Sequence, residues 1–308
     1  MHDTILVMNT SLVHFLSTDN LRLPGLLYQP QTNTKAVALY LHGCGSASIF
    51  YSNKMNVYAQ ILLSKNIAFF PFNNRGAHYM KTLKQVLPDG SEERILQGTS
   101  YELIKDCVKD IDGAVAFLQA NGYETFYIFG ESTGANKIVV YDYYAKNNPF
   151  TKYGLLAGGD DTGLYYDEMG KKKFYLALNK AKSEIKQGRG MKRVPKYISE
   201  YPFSYQSLYD VLHPDGDYNI FPFNEYINKL NLSKKELFGK FKKINKKTLI
   251  MYGSDDKYCY NDVPRCIQIL KDTAVNKHCF TFKIVNSCGH GFDGKEQEVA
   301  KIVADFLE

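Results

Sequence analysis

A run of strand type, Phe126-Tyr127-Ile128-Phe129, meets Gly130-Glu131-Ser132-Thr133-Gly134, and a helix-forming run with apolar residues at 138, 139 and 140 follows without a gap. Strand, sharp turn and helix in this order leave few folds open. A Gly-x-Ser-x-Gly turn holds its serine in a strained backbone conformation at the C-terminal edge of a sheet. A Cβ at 130 or 134 would collide across so tight a turn, which is why glycine stands at both positions. The Ser132 hydroxyl is thereby exposed to a base, with a helix N-terminus beginning beneath it.

The chain has 308 residues, 44% of them hydrophobic, enough to bury one large α/β core with an insertion. Its net charge of +6 is mild and falls short of the clustered basic face of a nucleic-acid binder, so no nucleic-acid partner is expected. No apolar run approaches the roughly 18 residues of a membrane span. The start, Met1-His2-Asp3-Thr4-Ile5, lacks the basic and then apolar pattern of a secretion signal. Six cysteines without a C-x-x-C pair suit a reduced, cytoplasmic protein. There is no His-x-x-x-His or paired-cysteine spacing, and His42-Gly43-Cys44-Gly45 lacks the third glycine of a dinucleotide loop. Neither a metal nor another cofactor is expected.

Residues 3–8 and 12–17 and the run Leu21 to Tyr28 read as an antiparallel edge meander. Val37-Ala38-Leu39-Tyr40-Leu41 is the continuous apolar run of a buried parallel strand, and Ile67 to Phe72 is the next, after helical spacing from Tyr51 to Lys65. Arg75, in the loop leaving that second strand, is a candidate for substrate contact; a salt bridge fixing the loop is the simpler reading. Glu131, beside the elbow serine, is a second such candidate. Ala77 to Ser100 reads as a long polar loop at the border of a pocket, and Tyr101 to Ala120 as an amphipathic helix. The strand at Tyr153 to Ala157 runs into Asp160 and Asp161.

Residues 162–245 then break the strand-helix rhythm. Lys171 to Gln187 is a candidate helix, and runs such as Lys171-Lys172-Lys173 and Lys242-Lys243 are most simply a solvated face, with an acidic ligand as the sharper alternative. The rhythm resumes at Thr248-Leu249-Ile250-Met251-Tyr252, which leads into Gly253-Ser254-Asp255-Asp256. Cys279 to Val285 is the last strand, Cys288-Gly289-His290-Gly291-Phe292 lies just beyond it, and Glu296 to Leu307 forms a closing helix.

The elbow, with Leu41-His42-Gly43-Cys44-Gly45, Tyr252-Gly253-Ser254-Asp255-Asp256 and Cys288-Gly289-His290-Gly291-Phe292, resembles the α/β-hydrolase superfamily. The resemblance spans the chain apart from residues 160–245. It implies a mostly parallel central sheet with helices on both faces, a core of residues 1–159 and 246–308, and a largely helical lid, 160–245, inserted after strand 6. Family order is Ser, acid, His. Of the histidines after Ser132, namely His213, His278 and His290, only His290 lies past a strand's C-terminal end and between two glycines. The family spacing of Gly, two residues and an acid selects Asp256, with Asp255 as its neighbouring rival and Asp160 or Asp161 as the alternative that some members use. The backbone N–H groups of Cys44 and Thr133 would form the oxyanion hole. The implied function is a serine hydrolase cleaving a carboxylic ester or related acyl bond (thioester, lactone, small amide) of a small molecule. A peptidase, an acyltransferase or lyase, and a non-enzymatic ligand receptor of the same fold stay open.

Overall fold

A computed structural model describes residues 8–308 of the chain. Of the first expected strand run, residues 3–7 lie outside the described residues. The alternating pattern that follows folds as a hairpin, β1 (Asn9–Leu16) and β2 (Arg22–Gln29), paired antiparallel from Asn9↔Gln29 to Leu16↔Arg22. Next come β3 (Ala36–Leu41), α1 (Lys54–Ser64) and β4 (Ala68–Phe72). Residues 77–100 depart from the expected loop: they contain a small antiparallel sheet of β5 (Lys81–Val86) and β6 (Glu92–Gln97) around the Pro88-Asp89-Gly90 turn. Its strands bury little beyond Leu83, so polar residues dominate and the period of two is hidden.

After a single 3₁₀ turn at Ile104–Asp106, α2 (Cys107–Ala120) begins later than its apolar stripe suggests, because Leu103 is still extended and the Ile104 N–H is held by Asp210 Oδ2 at 2.8 Å. Then follow β7 (Thr125–Glu131), α3 (Thr133–Tyr144) and β8 (Phe150–Leu156). The segment between β8 and β9 is helical where it is regular: α4 (Asp161–Lys186), α5 (Tyr205–Leu212) and α6 (Phe223–Asn228). The candidate helix at Lys171 is the second half of α4, which bends at Gly170 (φ 69°) and starts earlier, at Asp161. Lys171, Lys172 and Lys173 are exposed, as a solvated face requires. The chain closes with β9 (Lys247–Gly253), α7 (Val263–Thr273), β10 (Phe280–Val285) and α8 (Glu296–Leu307).

Among the described residues the large sheet has eight strands in the order β1-β2-β4-β3-β7-β8-β9-β10, and every pair from β4 to β10 is parallel. From β3 the chain steps outward to β4 through α1, whereas β7 to β8 and β9 to β10 step the opposite way. Right-handed crossovers in opposite directions put the connecting helices on opposite faces. Accordingly α1 packs with α8, and α2 packs with α3. Strands β3, β4 and β7 are covered on both faces, which explains why they read as unbroken apolar runs. Their aromatic rings interlock across the sheet: Phe69 stacks on Phe129 at 5.7 Å between centroids, and Tyr40 meets Phe129 edge-on at 5.3 Å. Among the described residues no helix is long and apolar enough to cross a membrane.

Arg75 is turned into the fold and is not among the residues lining the cavity described below. Its side chain is 3% exposed and bonds Asp110 Oδ1 through Nε (2.9 Å) and Nη2 (2.7 Å), and Asp19 through both terminal nitrogens at 2.7 and 3.0 Å. Burial alone would raise the Asp19 carboxyl, but hydrogen bonds from Arg75 and Ser17 hold it down at about 2. Substitution Arg75→Met leaves Asp110, fully buried, without a countercharge. The expected cost is about 3–5 kcal/mol of unfolding free energy in a denaturant titration. A loss below about 1 kcal/mol would make the network redundant.

Candidate active site

Ser132 is the one-residue joint between β7 and α3, with φ 57° and ψ −129°, a left-handed conformation that a serine adopts only under constraint. The constraint is backbone contact. A Cβ on Gly134 would stand 2.2 Å from the Leu41 carbonyl oxygen, and one on Gly130 would stand 2.8 Å from the Gly134 carbonyl carbon. The loop after β3 therefore lies directly across the turn, so close that a Cβ on Gly43 would be 3.0 Å from the Ser132 Cβ. Two backbone N–H groups flank the serine without a protein acceptor among the described residues, those of Cys44 and Thr133. His42, whose Nδ1 is 2.7 Å from the Gly43 carbonyl oxygen, braces this loop. Burial pushes its imidazole down to about 3, so it stays neutral. Burial likewise pushes the Cys44 thiol up to about 12, which keeps the sulfur protonated and leaves the backbone as this residue's link to the site.

His290 lies in the loop after β10, and its Nδ1 is 2.9 Å from Asp256 Oδ2 at the exit of β9. Asp256 is 1% exposed, and its other oxygen accepts from the Tyr258 N–H at 3.0 Å. The two loops touch backbone to backbone, since a Cβ on Gly253 would be 2.4 Å from the carbonyl oxygens of Cys288 and Gly289. Tyr258 stands edge-on to the imidazole, with 4.6 Å between ring centroids. The rival acids Asp255, Asp160 and Asp161 bond other groups than His290, Asp161 accepting from Asn136 and Thr133. Asp255 is exposed and bonds Ser254 Oγ at 2.9 Å. Asp160 caps α4 through the Gly163 N–H (2.8 Å) and accepts from the Asn224 N–H (2.7 Å) and the Tyr260 hydroxyl (3.0 Å), while burial pushes it up to about 7.

Glu131 is also turned away from any ligand. Its carboxylate accepts from Lys54 Nζ and from the Tyr58 hydroxyl, both at 2.7 Å and both on α1. The same Lys54 ammonium donates to the Gly291 carbonyl oxygen at 2.7 Å. It thus joins the residue before Ser132 to the residue after His290. No local sequence signal marks such a lysine, because both of its partners are remote along the chain.

Ser132 and His290 line one cavity of about 340 Å³. Tyr79, Thr99 and Ser100 border it from the segment around the β5-β6 hairpin. Leu164, Tyr165 and Glu168 from α4, with Tyr201, Pro202 and Phe203, supply the opposite wall. Asp161 also faces the cavity, where its Oδ2 accepts from Asn136 Nδ2 (3.1 Å) and Thr133 Oγ1 (3.3 Å). Burial pushes its carboxyl up to about 6. Among the described residues no His, Cys, Asp or Glu cluster is grouped to hold a metal ion, and all six cysteines are free.

No family model matches the chain, and neither does any curated protein. Solved structures do. The esterase Pf2001 of Pyrococcus furiosus is 16% identical, with 98% of this chain and 91% of that one covered and a TM-score of 0.60. Est1E of Butyrivibrio proteoclasticus, solved with ferulic acid bound, is 11% identical over 96% of this chain and 98% of that one, with a TM-score of 0.62. The carboxylesterase CesB of Bacillus subtilis is 14% identical over 98% and 93%, with a TM-score of 0.55. At these identities the shared property is the fold.

Proposed function

We propose that this chain, which has the α/β-hydrolase fold of these esterases, is a serine hydrolase acting on a carboxylic ester or related acyl bond of a small molecule. The observation that carries the reading is the 2.9 Å contact between His290 and Asp256, made at a cavity that the strained Ser132 also lines. His290 Nε2 takes the proton of Ser132 as Oγ attacks the acyl carbonyl, and Asp256 holds the Nδ1–H tautomer and stabilises the imidazolium that forms. The N–H groups of Cys44 and Thr133 receive the negative charge that develops on the carbonyl oxygen. His290 then gives its proton to the departing alkoxide, leaving an acyl-serine. Water, deprotonated by the same base, attacks the acyl carbon and frees the acid.

In this reading residues 160–245 are a lid: α4 and the Tyr201–Phe203 stretch wall the cavity and set the shape of what enters it. The free thiols suit a reducing compartment such as the cytoplasm. A fluorophosphonate probe followed by peptide mass analysis tests the assignment. The adduct is expected on Ser132, together with turnover of short p-nitrophenyl esters. Labelling without turnover would favour the receptor or lyase alternatives, and no adduct on Ser132 would overturn the nucleophile assignment.

A further inference from the structure

We propose that the ester hydrolysed here carries a positively charged ammonium group, and that Asp161 selects it. The inference rests on the serine hydrolase reading and narrows it to a substrate class. In a chain of net charge +6 with 38 Lys and Arg residues, no Lys or Arg among the described residues lines the cavity. Besides His290, the ionisable groups on its wall are the carboxyls of Asp161 and Glu168 and the hydroxyls of tyrosines, with the thiol of Cys44 held protonated. Such a wall repels anions and leaves its carboxylates free for a cation brought from outside.

Among the described residues Asp161 has no ammonium or guanidinium partner within bonding distance. Its hydrogen-bond donors are the neutral Asn136 and Thr133, and the buried Lys137 is instead paired with Glu102 at 2.6 Å and bonded to Asn74 at 3.0 Å. A place in the first turn of α4 gives Asp161 a structural reason to be acidic, through the helix dipole. That reason does not account for its position on the cavity wall beside Thr133, the residue whose N–H would receive the oxyanion. Burial pushes the Asp161 carboxyl up to about 6, while the hydrogen bonds from Thr133 and Asn136 favour its ionised form. A carboxylate there opposes the negative charge that must grow on the carbonyl oxygen.

For a neutral ester that opposition persists through the transition state. An ester that brings an ammonium to Asp161 removes it, so the site is complementary to the transition state of a cationic substrate rather than of a neutral one. The aromatic wall fits the same cation. Tyr79, Tyr165, Tyr201 and Tyr258 present rings to a cavity of about 340 Å³, and ring faces attract ammonium groups, quaternary ones included. The ammonium keeps its proton and its bonds throughout, and the bond made and broken is the ester C–O bond alone.

The test compares isosteric pairs in which carbon replaces the charged nitrogen: butyrylcholine against 3,3-dimethylbutyl butyrate, and glycine benzyl ester against benzyl propanoate. Wild-type kcat/KM is expected to favour the charged member of at least one pair by about tenfold or more. Asp161→Asn should erase that preference, bringing the ratio of charged to neutral kcat/KM down to about one, whatever the change in absolute rates. Should Asp161→Asn fail to fold, wild-type protection from the fluorophosphonate answers instead, with tetramethylammonium expected to protect Ser132 better than tert-butanol at equal concentration. Equal rates within both pairs, a preference that survives Asp161→Asn, or equal protection by the two small molecules would overturn the inference while labelling of Ser132 leaves the hydrolase reading standing. No labelling and no turnover of any of the four esters would overturn both.

Discussion

Ser132→Ala is expected to keep the wild-type unfolding transition and to lose turnover of short aryl esters by about 10⁴-fold or more. The change removes one oxygen from the cavity floor and no packing, because the turn is built by the contacts of Gly130 and Gly134 with the end of β3 and not by the serine side chain. Alanine inherits the φ of 57° and its strain, so stability should move little in either direction. Purified variant assayed beside wild type for kcat and thermal unfolding checks both halves. Wild-type turnover in the variant would mean that some other group does the chemistry.

Asp256→Asn is expected to lower kcat by about 10³- to 10⁴-fold at neutral pH with the protein still folded. The amide can accept from the Tyr258 N–H as the carboxylate does, but it offers no charge to an imidazolium, and its NH₂ group favours the wrong tautomer of His290. Asp255→Asn is the control. That carboxylate is exposed and engaged with Ser254, so its loss should change kcat by no more than a few-fold. The reverse ranking of the two variants would exchange their roles. The pair of measurements therefore decides between adjacent aspartates that differ in sequence only by one place.

Those two aspartates also mark how far the amino-acid order alone reaches. The spacing from Gly253 that the family resemblance implies points to Asp256, and it is Asp256 that meets the imidazole while Asp255 bonds Ser254. The buried parallel strands are legible because, covered on both faces, they hold little but apolar residues. The helix Glu296 to Leu307 is legible to the residue, since it carries its apolar stripe from end to end.

Other features have no such local signature. The β5-β6 hairpin buries so little that its polar strands imitate a loop. Arg75 and Glu131 invite a reading as ligand contacts because they stand at the strand ends where ligands gather. Their partners, Asp19 and Asp110 for the one and Lys54 and Tyr58 for the other, come from segments that only the folded chain brings near. Which tyrosines of 160–245 turn inward is equally hidden, since irregular stretches such as Tyr201-Pro202-Phe203 follow no fixed period.

The ammonium of Lys54 sits behind the reacting groups, outside the cavity wall, and grips the peptide on either side of them. Ser132 and His290 follow different strands, β7 and β10, and without a common anchor each would drift with its own strand. A single tether from α1 ties the two segments to each other. That tie is built into the resting protein, ready in advance of any guest at the open side.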